Sequence, residues 1–220
     1  MANINRPKGL SPVQNVDGSP WSEGATLFAI PNDASNTYAI GDIVALATGA
    51  DADGVAYITK WSGTVSATSL PVGVIVGIRV ADPGVSLVGN SLALEKAYLP
   101  LSSGLHYAYV VTDPATVFEI QGDSSNFVAA NMNKNVNVTS LVGTTSGTAG
   151  TITADGSASL GNSSPYSNTV AIAPGTSNAL PLQIIGLSQR PDNAYGSYAA
   201  MLVRFNVHAF YGAATGRTGI

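Results

Sequence analysis

From Tyr198 to Phe210 the side chains alternate without a break. Met201, Val203, Phe205, Val207 and Ala209 fall on one side, and Leu202, Arg204, Asn206, His208 and Phe210 on the other. A period of two held over a dozen residues is the signature of a β-strand, and no helical face can be drawn through it. Shorter runs of the same kind precede it: Ala25 to Ile30, Tyr38 to Ala47 (interrupted at Gly41-Asp42), Val55 to Trp61, Val72 to Val80, Leu105 to Thr112, Thr116 to Gln121 and Leu180 to Ser188. Turn residues such as Asp51-Ala-Asp-Gly54 and Arg190-Pro-Asp-Asn-Ala-Tyr-Gly196 separate them. Strands at this spacing, with no long helical pattern between them, specify an all-β chain, a jelly-roll-like sandwich or barrel rather than a βαβ fold. Ser91 to Lys96 is the best place for a short helix.

The strand Val72 to Val80 is apolar on nearly every position and so reads as mostly buried. Its Gly73 and Gly77 would let another backbone approach closely. Two segments interrupt the β pattern. Residues 1–21, with Pro7, Pro12 and Pro20, favour extended backbone and form an N-terminal arm. The arm is either loose or ordered on a neighbouring subunit, with Trp21 anchoring its base. The rest, 22–220, forms a single β domain. Within it, 131–167 is an insertion rich in Gly, Ser, Thr and Asn, an exposed tip with marginal edge strands at Val136 to Val142 and Thr151 to Thr153.

Composition sharpens the functional reading. Nine Lys plus Arg and thirteen Asp plus Glu make only 22 charged residues in 220, less than half of the quarter or so typical of soluble domains. Long charged side chains solvate a surface that faces water on all sides, so a chain without them suits a surface covered by partners. Its cations are scattered singly and the net charge is −4, which speaks against a nucleic-acid partner. No apolar run reaches the length of a membrane span, and the start lacks the apolar core of a secretory signal. A membrane partner is therefore not expected, and synthesis in a cytoplasm is. There is no Cys, hence no disulfide and no thiolate chemistry.

Catalytic patterns are weak. His106 and His208 are the only histidines and each lies on a strand, where a backbone or Tyr partner is the ordinary reading. Asp51-Ala-Asp-Gly54 starts like a calcium loop, but its Gly comes two places early and Ser62 stands where a bidentate Glu is needed; it is a turn. Glu119, flanked by Asp113 and Asp123, has no spacing diagnostic of paired-carboxylate hydrolysis. The glycine-rich stretch 143–150 has no Lys and no following helix to bind phosphate. No catalytic, cofactor or metal residue is assigned, and the chain is not expected to be an enzyme. Tyr98, Tyr107 and Tyr109 leave a sugar-binding groove as an alternative.

Two stretches carry a resemblance. Asn5-Arg-Pro-Lys-Gly-Leu-Ser-Pro-Val13, Gly18-Ser-Pro-Trp21 and Tyr38-Ala-Ile-Gly-Asp42 resemble the amino-terminal part of small head proteins encoded near the major capsid gene in tailed bacteriophages. Ile185-Gly-Leu-Ser-Gln-Arg-Pro-Asp-Asn-Ala-Tyr-Gly196 and Asn206-Val-His208 are similar to that group as well. The likeness covers about the first sixty and last forty residues and leaves the middle, 122–170 above all, unplaced. It implies a capsid decoration, or cement, protein: a virion structural protein on the outer surface of the head. Its partners would be the major capsid protein and itself, as a homodimer or homotrimer, with no cofactor. On that reading Arg6 and Lys8 would meet acidic shell residues and Leu10, Val13 and Trp21 would fill apolar pockets, with Arg190, Asp192 and Tyr195 as a second contact. A carbohydrate-binding adhesin module and another tail-associated virion structural protein are the alternatives.

Overall fold

The computed structural model describes residues 3–4, 10–22, 24–32, 36, 38–63, 65–66, 69–80, 98–99, 104–122, 127–137 and 178–211. Arg6, Lys8, Asp123, the proposed helix at 91–96, the stretch 143–150 and the insertion beyond 137 lie outside the described residues. The described residues form twelve strands: β1 (Ser11–Asn15), β2 (Thr26–Ile30), β3 (Tyr38–Ala39), β4 (Ile43–Ala50), β5 (Ala56–Lys60), β6 (Pro71–Val80), β7 (Tyr98–Leu99), β8 (His106–Val111), β9 (Thr116–Gln121), β10 (Asn135–Val136), β11 (Leu182–Leu187) and β12 (Ala200–Phe205).

These strands build both of the architectures open to the sequence. Strands β2-β5-β4-β6-β8 close into a barrel, with β8 returning to β2 through five residue pairs from Thr26↔Val110 to Ile30↔His106. Strands β1-β9-β12-β11-β10 form an open antiparallel sheet that packs against the barrel wall, and β3 pairs with β7 apart from both. The chain is all-β, a sandwich of two layers in which one layer is itself closed.

The alternation of side chains explains why the central runs are apolar on both faces. Along β4, Val44 points into the barrel beside Phe28, Ile58, Ile75 and Val110, while Ile43 and Ala45 point outward. There they meet Phe118, Ile120, Leu182, Ile184, Met201 and Val203 of the open sheet. On β6, Val74 and Ile75 divide in the same way, as do Val110 and Val111 on β8. Each shared strand thus feeds two cores, and a half-exposed alternation would have been wrong for it.

Gly73 answers one further expectation. A Cβ there would lie 2.2 Å from the Val111 carbonyl oxygen, so β6 and β8 meet at this point only because the side chain is missing. Gly77 differs: its nearest neighbour would be Tyr109 Cδ2 at 3.5 Å, an ordinary contact. Here the expectation of a second close approach is corrected.

The Asp51–Gly54 segment is a turn, as read. Asp51 Oδ1 accepts the backbone N–H groups of Asp53 (3.0 Å) and Val55 (2.7 Å), and Gly54 takes φ +83° between β4 and β5. Asp51 Oδ2 accepts the Tyr107 hydroxyl at 2.7 Å. Burial, followed by this bond and the nearby aspartates, pushes the phenol up to about 12.

Beside the barrel interior, Lys60 Nζ contacts Asp42 Oδ2 at 2.9 Å with both side chains essentially inaccessible, and the Ala39 N–H donates to the same oxygen. A buried ion pair gains little net stability because desolvation opposes the attraction. It does fix the 39–42 turn against β5.

The described part of the N-terminal arm lies on its own chain. Ser11–Asn15 pairs with β9 from Ser11↔Glu119 to Asn15↔Thr116, with an irregularity between Pro12 and Gln14. Leu10 is 1% exposed in the core between barrel and sheet. The picture of Leu10 filling a shell pocket is therefore corrected: the apolar side chain completes its own domain.

Candidate functional site

Loop 188–199, between β11 and β12, is an exposed segment held by a network of polar contacts. It begins as a β-turn, Arg190-Pro-Asp-Asn193, in which the Asn193 N–H donates to the Arg190 carbonyl at 3.1 Å. Proline fits the second position because its ring presets φ. Asn193 then closes the loop's neck. Its Nδ2 donates to the Ser188 and Ala200 carbonyls, and its Oδ1 accepts the Ala200 N–H, each at 2.8 Å.

A second brace comes from β9. The Glu119 carboxylate is buried; it accepts the Ser188 hydroxyl on Oε2 and Arg190 Nη1 on Oε1 at 3.2 Å. Arg190 Nε lies 3.7 Å from Asp192 Oδ1, a looser contact at the surface. Glu119 is therefore engaged by two donors, a role the sequence did not show.

The third brace is the chain's own beginning. Asn3 Nδ2 donates to the carbonyls of Ala194 (2.8 Å) and Ser197 (2.9 Å), and Asn3 Oδ1 accepts the Ala194 N–H at 2.9 Å. Phe127 supplies the fourth. Its backbone exchanges hydrogen bonds with Gly196 at 2.9 and 3.1 Å, and its ring stacks on Tyr195 with centroids 5.8 Å apart. Gly196 at φ +137° and Tyr198 at φ +58° provide the sharp backbone turns.

What this frame presents is apolar and aromatic. Tyr195 is 48% exposed, Ile4 60% and Val128 40%, all on segments tied to one another by the bonds just described. Arg190 and Asp192 stand beside them. The two regions singled out from sequence, arm and 190–196 loop, thus converge at one end of the open sheet. Of the arm residues, Val13 is partly exposed on β1, while Trp21 is half-buried against the core between sheet and barrel. Glu119, Phe127 and Ser188 were not foreseen as part of a surface, and Asn3, Ile4 and Asn193, though inside the arm and loop singled out, were not named as contacts. Only Asn193, following Pro-Asp in a turn, carried a local signal.

A different surface occupies the opposite end of β12. A cleft of about 350 Å³ is lined by Val16, Arg204, Phe205, Asn206, His208 and Tyr211, among others. Gln183 Oε1 accepts both Arg204 Nε (3.1 Å) and Nη2 (2.8 Å), which fixes the guanidinium's orientation. Arg204 has no acidic partner within ion-pair distance among the described residues. His208 is buried. Its Nδ1 accepts the Phe210 N–H at 3.2 Å. Burial holds its pKa below the usual imidazole value, opposed in part by the Val72 backbone and the Asp113 charge. Phe210 and Tyr211, 55% and 74% exposed, project beside it.

The chemical alternatives raised by the sequence find these surroundings. Asp113 Oδ1 accepts the Ala115 N–H at 2.8 Å and so organises the turn before β9. Tyr107 is buried with its hydroxyl committed to Asp51. Among the described residues no group of three or more His, Asp or Glu is placed to hold a metal ion, and no helix is long and apolar enough to cross a membrane. Comparison with family models, with curated proteins and with solved structures returns no match.

Proposed function

We propose that this chain is an adhesive structural protein of a virion, a capsid decoration protein that docks on the outside of a tailed-phage head and stabilises it. The observation that carries the reading is the loop 188–199. Four braces hold it in place, yet Tyr195 stays 48% exposed even with its ring stacked on Phe127, and Ile4 and Val128 on the bracing segments are exposed beside it. Pre-organised aromatic anchors lower the entropy lost on docking, and such anchors dominate interface energetics. The low charge and the likeness to phage head proteins support the same reading.

The arm takes a different part from the one expected of a clamp. With Leu10 in the core, removing residues 1–20 would damage the domain as well as any contact. A point substitution on the exposed loop separates the two. Undecorated heads incubated with the chain and pelleted should carry it down and resist heating better. Tyr195→Ala should reduce occupancy by about tenfold or more at fixed concentration, the effect of losing an interface anchor. Unchanged occupancy with a folded Tyr195→Ala variant would remove the loop from the interface; no binding by the parent chain would sink the reading.

A further inference from the structure

The geometry points to a head-to-tail contact between copies of this chain, in which the braced 188–199 loop of one molecule enters the cleft beside Arg204 of the next. This deepens the proposed function and rests on it for its biological meaning, but it concerns self-association alone and is tested without any shell.

The two surfaces are at opposite ends of one strand. The loop leads into Ala200, where β12 begins, and the cleft is lined by Arg204 and Phe205, where it ends. At about 3.4 Å per residue the intervening five steps span roughly 17 Å. One end is an exposed loop and the other is a cleft. Contacts made by two different patches of the same chain are heterologous: they propagate in one direction, closing into a ring or continuing as a filament.

Charge makes the ends complementary. Glu119, Arg190 and Asp192 together leave the loop end with one net negative charge, and the Asp192 side chain is 69% exposed with only a 3.7 Å contact to Arg190. Among the lining residues of the cleft, Arg204 is the charged one and its guanidinium is already oriented by Gln183, while the Asp113 charge bears on His208 in the same cleft. A carboxylate brought to that guanidinium would gain a charge-assisted bond in a partly desolvated site. Tyr195 would then lie against Phe205 and Tyr211, aromatic on aromatic. Docking loop to loop would instead bring together two patches of the same net negative charge.

Two charge reversals distinguish this arrangement from any symmetric one. The full chain and the variants Asp192→Arg and Arg204→Glu are compared by sedimentation velocity over a range of concentrations, with circular dichroism melts showing that each is folded. The parent chain should associate increasingly with concentration. Each variant alone should associate about tenfold more weakly or worse, because its loop and its cleft then carry like charges. Mixing the two variants should restore association, since every loop then finds an oppositely charged cleft in the other variant. A parent chain that stays monomeric, association indifferent to both reversals, or a mixture no better than its components would each overturn the inference. If the monomeric chain nevertheless pellets with heads, the proposed function stands without it. Self-association that follows the charge pattern, with no binding to heads, would uphold the head-to-tail contact and remove the role on the capsid.

Discussion

Gly73 shows how a single missing carbon can decide where two strands run. The Val111 carbonyl occupies the place its Cβ would take, and Val110 Cγ1 lies 2.7 Å from the same point. Gly73→Ala must push backbone apart rather than turn a flexible side chain aside, so it should destabilise the protein by about 1–3 kcal/mol, the range for overpacked cores. A urea titration would show this as a lower midpoint at unchanged slope. Gly77→Ala, whose Cβ meets only ordinary contacts, serves as the mild comparison. The sequence showed both glycines on a buried strand and could not rank them, because the rank depends on which partner strand passes nearest. The same reason hid Asn3 and Glu119. Asn3 meets Ala194 across 191 residues of sequence and Glu119 meets Ser188 across 69. Hydrophobic periodicity carries no information about such pairings, whereas Asn193, bonding five and seven residues away, had turn chemistry to announce it.

Elements with strong alternation were legible, and elements defined by pairing were not. Strands β2, β3, β4, β5, β6, β8, β9, β11 and β12 all overlap runs read from the sequence, and β10 meets the edge strand read at Val136 to Val142. β12 is shorter than its pattern, because Tyr198 sits at positive φ before it and Asn206 turns to donate to the Leu180 carbonyl after it. β1 was read as an arm, since prolines mask a strand that occurs at a sheet margin, where Pro12 is tolerated. Its anchoring predicts that Leu10→Ala lowers stability by about 2–5 kcal/mol, as other buried Leu truncations do, measurable in a thermal melt. The 3₁₀ turn Ala209–Tyr211 after β12 gives a further test. Buried, uncharged His208 accepts from Phe210, so the unfolded chain takes up the proton first as pH falls. Stability should hold above the ordinary imidazole pKa of about 6.5 and decline as pH drops below it. His208→Gln should remove that part of the decline, read from urea midpoints between about pH 7.5 and 5.

For the molecule as a whole, the two cores are not independent. β4, β6 and β8 line the barrel with one set of side chains and the open sheet with the next, so loosening either layer uncovers the other. A single cooperative unfolding transition is expected from that sharing, with calorimetric and van't Hoff enthalpies in agreement. The surface is arranged with the same sharing of parts. One sheet carries a braced aromatic loop at one end and an arginine-lined cleft at the other, with the hydrogen-bonded strands as a rigid spacer between them. The whole-molecule reading of the sequence, a sparsely charged β-protein, contained the material for such a surface but not its location.

The outer margin of β1 bears on how these molecules can meet one another. Pro20 forms a bridge opposite Gln14, the Asn15 N–H donates to the Ser19 carbonyl at 2.8 Å, and the Trp21 N–H donates to that of Val13 at 3.3 Å. The returning segment thereby occupies the backbone groups through which a stranger's extended chain would otherwise be templated. On this side, crowded copies are denied the indiscriminate zippering that seeds amyloid, and recognition is left to side chains, whose contacts are selective and can be undone.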